Sequence, residues 1–124
     1  MTVGGTSAGL AILGQFIYSS LYDTIYSPEA LANPYDGNIT FAYNFLTIPF
    51  LTDFLTDTHF VTRDRMGRML TFQARLVKEN RTLVKGVGVD EATALLLDTT
   101  TGIYIYMYQT CKHHYFKPAH PTVT

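Results

Sequence analysis

Gly5-Thr6-Ser7-Ala8-Gly9 reads G-x-S-x-G, with a short lead of Val3 and Gly4 and an apolar run from Leu10 to Tyr18 behind it. That order suits a nucleophile elbow. A serine on a tight strand-to-helix turn has small neighbours, because larger side chains would clash where the backbone doubles back. The helix start behind it directs N–H groups and a positive dipole end toward the serine. A five-residue motif of this kind also arises in ordinary glycine turns, so a base, an orienting acid and a pocket must come from elsewhere in the chain.

The 124 residues suffice for one domain with a packed core. A 47% hydrophobic, 15% charged composition is that of a globular chain, and a net charge of −1 carries no nucleic-acid signature. One cysteine, Cys111, excludes an internal disulfide and leaves the redox compartment open, with the cytoplasm favoured. The most apolar stretch, Phe41 to Leu55, is interrupted by Asn44, Thr47, Pro49, Thr52 and Asp53. It falls short of the ~20 apolar residues of a membrane helix, so no membrane partner is expected.

In chain order, residues 8–20 read as a buried helix carrying Leu10, Ile12, Leu13, Phe16 and Ile17. Dense turn residues from Tyr22 to Thr40 predict an irregular loop with one helical turn at Pro28–Ala32, capped by Ser27. Residues 41–55 fit short strands or a helical piece broken at Pro49. Thr56 to Phe60 is a polar knot. Thr62 to Lys78 reads as a helix capped by Thr62, with Met66, Met69, Leu70, Phe72, Leu76 and Val77 as its apolar set and Gln73 out of pattern. Leu83 to Val89 predicts a strand in which Gly86 and Gly88 allow close approach. Ala92–Leu97 and Ile103–Tyr108, joined by Thr99–Gly102, predict a hairpin, and the tail from Lys112 reads as irregular.

Chemistry-bearing residues fall at the junctions. Ser7 is the candidate nucleophile. His59, in the polar loop before a helix, is a candidate base. Asp90 and Glu91 follow a strand, where α/β sheets place their chemistry; either of them, or an acid in 23–29, could orient the histidine. Arg63, Arg65 and Arg68 suit a substrate bearing carboxylates, while a solvated helix face balanced by Asp64 explains them equally well. His113, His114 and His120 could be metal ligands, but adjacent histidines do not easily share an ion, and no metal or other cofactor is expected.

Three blocks, Gly4-Gly5-Thr6-Ser7-Ala8-Gly9, Asp57-Thr58-His59-Phe60 with Arg63-Asp64-Arg65-Met66-Gly67-Arg68-Met69-Leu70, and Gly86-Val87-Gly88-Val89-Asp90-Glu91-Ala92-Thr93-Ala94, resemble the motif blocks of the cyanophycinases. These belong with the aspartyl dipeptidases among the serine peptidases. The resemblance implies a partial flavodoxin-like three-layer α/β sandwich, similar to class I glutamine amidotransferases, followed by the C-terminal β-hairpin. It also implies a Ser-His-Glu exopeptidase acting on Asp-containing peptides, β-Asp-Arg bonds among them. Ser7 would be the nucleophile, His59 the base, Glu91 the acid, and the Ala8 N–H one oxyanion donor. Asp57, Thr58, Arg63, Arg65 and Arg68 would line the substrate pocket. Thr58 stands where the family pattern has Gln, which points away from cyanophycin itself. By the same resemblance, residues 1–124 are expected to be the C-terminal catalytic part of a larger peptidase domain. Its N-terminal half would supply a second oxyanion donor and a pocket wall. Unpaired sheet edges would then favour self-association as a homodimer. The competing expectation is a member of the same fold that binds but does not turn over.

Overall fold

In the computed structural model, which describes residues 2–80, 82–110 and 113–118, the chain forms three helices and seven strands. The Ser7 turn opens into one helical turn, α1 (Ala8–Ala11), and then becomes a strand, β1 (Phe16–Tyr18). The helix expected over 8–20 thus ends after a single turn. Tertiary pairing captures the backbone instead: Gln15 N–H donates to the Leu51 carbonyl at 3.3 Å, and Gln15 Oε1 accepts the Asp53 N–H at 2.7 Å. Gly14 lies so close to the next strand that a β-carbon there would sit 2.5 Å from the Phe54 carbonyl oxygen. Apolar residues on every side, read as a buried helix, are equally the signature of a strand covered on both faces.

Next comes α2 (Ser27–Ala32), where a helical turn was expected at Pro28–Ala32 within an otherwise irregular stretch. Its N-terminus is closed by Glu29, whose carboxylate accepts the Tyr26 N–H at 3.0 Å. Ser27 does not cap. Its hydroxyl donates to the Asp64 carbonyl and accepts the Arg68 N–H at 3.1 Å, stitching α2 to the helix that follows.

The ambiguous stretch resolves as β2 (Phe41–Tyr43) and the beginning of β3 (Phe54–Thr58). The polar residues expected in a loop, Thr56, Asp57 and Thr58, are therefore interior strand residues, each at most 6% exposed. Polar side chains occupy a core strand here because each finds a partner. Helix α3 (Met66–Asn80) begins four residues later than Thr62, after a turn in which Arg63 N–H donates to His59 O and Arg65 N–H to Phe60 O. Of its expected apolar set, Met69, Phe72 and Leu76 are buried, whereas Met66, Leu70 and Val77 are exposed. Gln73, out of pattern, donates to the Val84 carbonyl at 3.0 Å. The chain continues as β4 (Lys85–Val89), β5 (Thr93–Asp98), β6 (Ile103–Thr110) and β7 (His113–Pro118).

One mixed sheet has the order β2-β1-β3-β4, with β1, β3 and β4 parallel and β2 antiparallel to β1. Helix α3 is the crossover between β3 and β4, the connection parallel neighbours require. It packs Met69, Phe72 and Leu76 onto one face with Phe16, Ile25, Ile39, Leu55 and Val84. The other face, around Leu51, Phe54 and Val87, is met by Leu95, Leu97 and Tyr104 from β5 and β6. These belong to an antiparallel sheet ordered β5-β6-β7. The expected hairpin is thus extended by a third strand within the tail read as irregular. The long antiparallel register from Asp98↔Ile103 to Thr93↔Tyr108 holds it. Among the described residues no helix is long and apolar enough to cross a membrane.

Candidate active site

The β3–β4 register runs to Thr58↔Val89, so both strands end side by side. His59 leaves β3 at φ 47, and Asp90-Glu91 leave β4 into a turn that passes Ala92 at φ 56. The Ser7 turn reaches the same edge by another route. Ser7 has φ 50 and ψ −125, a region open mainly to glycine. The turn is so tight that a β-carbon on Gly5 would sit 2.3 Å from the Gly9 carbonyl oxygen. The Thr56 hydroxyl, inside β3, meets the carbonyls of Leu10 at 2.9 Å and Ala11 at 3.2 Å, fastening α1 to the strand that carries His59. Residues 2–6 form no strand, so the elbow is held from behind by β3.

These three pieces bring Ser7, His59 and Glu91 into line. Ser7 Oγ lies 3.3 Å from His59 Nε2, and His59 Nδ1 lies 3.3 Å from Glu91 Oε1. With the proton on Nδ1 the ring donates to Glu91 and its Nε2 is free to accept from Ser7, the tautomer a base requires. Both contacts, at 3.3 Å, sit just beyond the usual catalytic hydrogen-bond reach. Of the acids left open by the sequence, Glu91 faces the ring. Asp90 instead accepts the Thr62 N–H at 3.1 Å and hydroxyl at 2.9 Å. Asp23 and Glu29 are engaged by the N–H groups of Thr24 and Tyr26. Ala8, the first residue of α1, contributes one of the N–H groups that lack an intrahelical acceptor. A cavity of about 410 Å³ opens beside the serine, lined by Ser7, Leu10, Thr58, His59, Glu91 and Leu95 among others.

Elsewhere the pocket residues suggested by the resemblance separate into an interior group and an outer one. Asp57 and Arg68 are buried and bind each other in bidentate fashion, Nε to Oδ2 at 2.8 Å and Nη2 to Oδ1 at 2.7 Å. Arg68 also donates to the Ile25 carbonyl and has its guanidinium 5.0 Å from the centre of the Tyr18 ring. Arg65 reaches Asp57 at 3.1 Å and the Thr58 carbonyl at 2.7 Å. Burial, together with the positive charge of Arg68, pulls the Arg65 pKa below the ordinary guanidinium value, against the opposing pull of Asp57. The counter-charge of Arg65 and Arg68 is therefore Asp57, not Asp64. Arg63 is exposed and joins Arg65 and Arg68 around a second cavity of about 200 Å³ with Thr24 and Tyr26.

Three working parts had no signal in the sequence: the Thr56 anchor, the Asp90–Thr62 bond, and Phe60, whose ring lies against the Gly88 backbone where a β-carbon would be 2.3 Å from it. The last two depend on the β3–β4 register, and the Thr56 anchor on how α1 seats against β3. Among the described residues no group of three or more His, Cys, Asp and Glu could hold a metal. His113 and His114 fall in β7, while Cys111 and His120 lie outside the described residues. Compared with protein-family models, with curated proteins and with solved structures, the chain matches none.

Proposed function

We propose that this protein is a serine-type hydrolase, and more specifically an exopeptidase resembling the cyanophycinases, built on a flavodoxin-like sandwich similar to that of class I glutamine amidotransferases. The observation that carries the reading is the Ser7–His59–Glu91 chain, with 3.3 Å at each link, drawn from three separate segments. As Ser7 Oγ attacks a peptide carbonyl, His59 takes its proton, and Glu91 holds the ring and offsets the imidazolium charge. The Ala8 N–H meets the developing oxyanion. His59 then protonates the leaving amine, and water hydrolyses the acyl ester with His59 again as base.

Specificity for acidic peptides rests on the arginines. Arg63 and Arg65 line a cavity with Thr24 and Tyr26, and the buried Asp57, paired with Arg68, also holds Arg65. Cleavage of β-Asp-Arg and Asp-X dipeptides by the wild type, and its loss in Ser7→Ala with the far-ultraviolet spectrum unchanged, is the expected result. Retained cleavage in Ser7→Ala would exclude Ser7 as nucleophile. Arg63→Ala should raise KM for acidic dipeptides by roughly tenfold with kcat little changed, as loss of a charge-assisted contact common to ground and transition states does.

A further inference from the structure

We propose that Asp90 is a positioning residue of the triad, a clamp that fixes the His59 turn against the Glu91 turn; the proposal rests on the hydrolase reading given above. Ladder pairing between β3 and β4 stops at Thr58↔Val89, so the histidine and the glutamate both stand beyond the last paired residues. Packing does not hold Glu91, whose side chain is 62% exposed, and its contact to His59 is 3.3 Å long. An exposed carboxylate at that distance gains little by itself, since it gives up side-chain freedom for a solvent-screened bond.

Asp90 supplies the missing constraint. One oxygen, Oδ1, accepts both the N–H (3.1 Å) and the hydroxyl (2.9 Å) of Thr62, three residues beyond the histidine. Its own backbone is fixed as well: the Asp90 N–H donates to Thr93 Oγ1 at 3.0 Å, and that hydroxyl donates back to the Asp90 carbonyl at 2.7 Å. The two turns that carry His59 and Glu91 are thereby tied together one residue from the glutamate. Because both triad links are already long, a shift of the His59 turn by even ~1 Å separates the reacting groups, and misplacement on that scale costs about 10²-fold in rate.

The test is the rate at which a fluorophosphonate probe labels Ser7, a reaction in which the Oγ–P bond forms, fluoride leaves and His59 takes the serine proton. Asp90→Ala should slow labelling by ~10- to 100-fold, Glu91→Gln should do the same, and the double variant should be no slower than either alone, because both act on the same histidine. Asp90→Asn keeps the Oδ1 acceptor and should restore most of the rate. Asp98 provides the comparison, since it closes the β5–β6 turn through Thr100 and Thr101 with no link to His59. Asp98→Ala should label at the wild-type rate. Should Asp90→Ala fail to fold, Thr62→Val removes one of the two donors with a smaller loss, about three- to tenfold, by the same misplacement argument. A wild-type rate in Asp90→Ala or Thr62→Val, or losses in Asp90→Ala and Glu91→Gln that multiply in full, overturns the clamp alone. A wild-type chain that takes up no probe contradicts the hydrolase reading and overturns the clamp with it.

Discussion

Ser7 occupies a backbone region that costs a residue with a β-carbon of order 1–3 kcal/mol. Glycine enters that region freely, whereas alanine retains the strain, so Ser7→Gly should be more stable than Ser7→Ala by roughly 1 kcal/mol while both lose the hydroxyl. Thermal unfolding of the two variants measures the difference directly; equal midpoints would mean the turn relaxes. Asp90 gives a pH-dependent counterpart. The Thr62 N–H, foremost among its partners, holds its carboxyl below the ordinary 3.8. A depressed folded-state pKa means the contribution to stability is present above the unfolded value and lost as pH falls through the folded one. The gap in melting temperature between wild type and Asp90→Asn should therefore be full near neutrality and close below pH 3.8. A gap that persisted or widened in acid would contradict this. At this scale the residues that come together, Ser7, His59 and Glu91, were legible from residue type and motif order, although the sequence left Asp90 and the acids in 23–29 open beside Glu91. The roles of Asp57 and Arg68 were not, since nothing in a sequence tells an arginine that meets substrate from one that neutralises a buried aspartate. Breaking that pair from one side, as in Arg68→Met, should cost about 3–5 kcal/mol by leaving Asp57 buried with only Arg65 opposite.

Among the elements, α3 and the strands flanking it show how the His59 turn is held from beneath. Phe60 lies over Gly88, and Met69 with Gln73 lies over Gly86. The two glycines therefore predict different outcomes. Alanine at 88 would put a β-carbon 2.3 Å from the Phe60 ring and displace the turn next to His59. Gly88→Ala should slow Ser7 labelling by tenfold or more and destabilise by ~1–3 kcal/mol, as overpacking does. At 86 the nearest atom, 2.7 Å away, is the Met69 sulfur on a flexible side chain. Gly86→Ala should lose stability and keep its labelling rate; equal effects on labelling would remove Phe60 from the account. The sequence indicated that both glycines permit close approach, but what approaches them depends on a helix start that moved from Thr62 to Met66. Capping residues suggested the earlier start; Asp90 instead takes Thr62 out of the cap. Elements of three residues such as β1 and β2 were illegible because their apolar pattern is too short to carry a period.

Over the whole molecule, the arrangement depends on parallel pairing. Parallel β3 and β4, forced apart in sequence by the α3 crossover, bring His59 and Glu91 from 32 positions apart to neighbouring strand ends. The Thr56 anchor then brings Ser7, 52 positions from His59, to the same edge. Sites at the carboxyl ends of parallel strands are what this sheet geometry favours. Mixed α/β character and the C-terminal hairpin could be read from periodicity. Which layer covers the second face could not, because β5 and β6 have apolar residues on both sides and only packing selects Leu95, Leu97 and Tyr104 as the inner set. The convergence of the three segments on Ser7 should leave it an activated serine. Intact-mass and peptide mapping after fluorophosphonate treatment test it most directly. One adduct is expected, on Ser7, absent in Ser7→Ala and strongly slowed in His59→Ala. An unmodified chain, or an adduct that persists in Ser7→Ala, would contradict it.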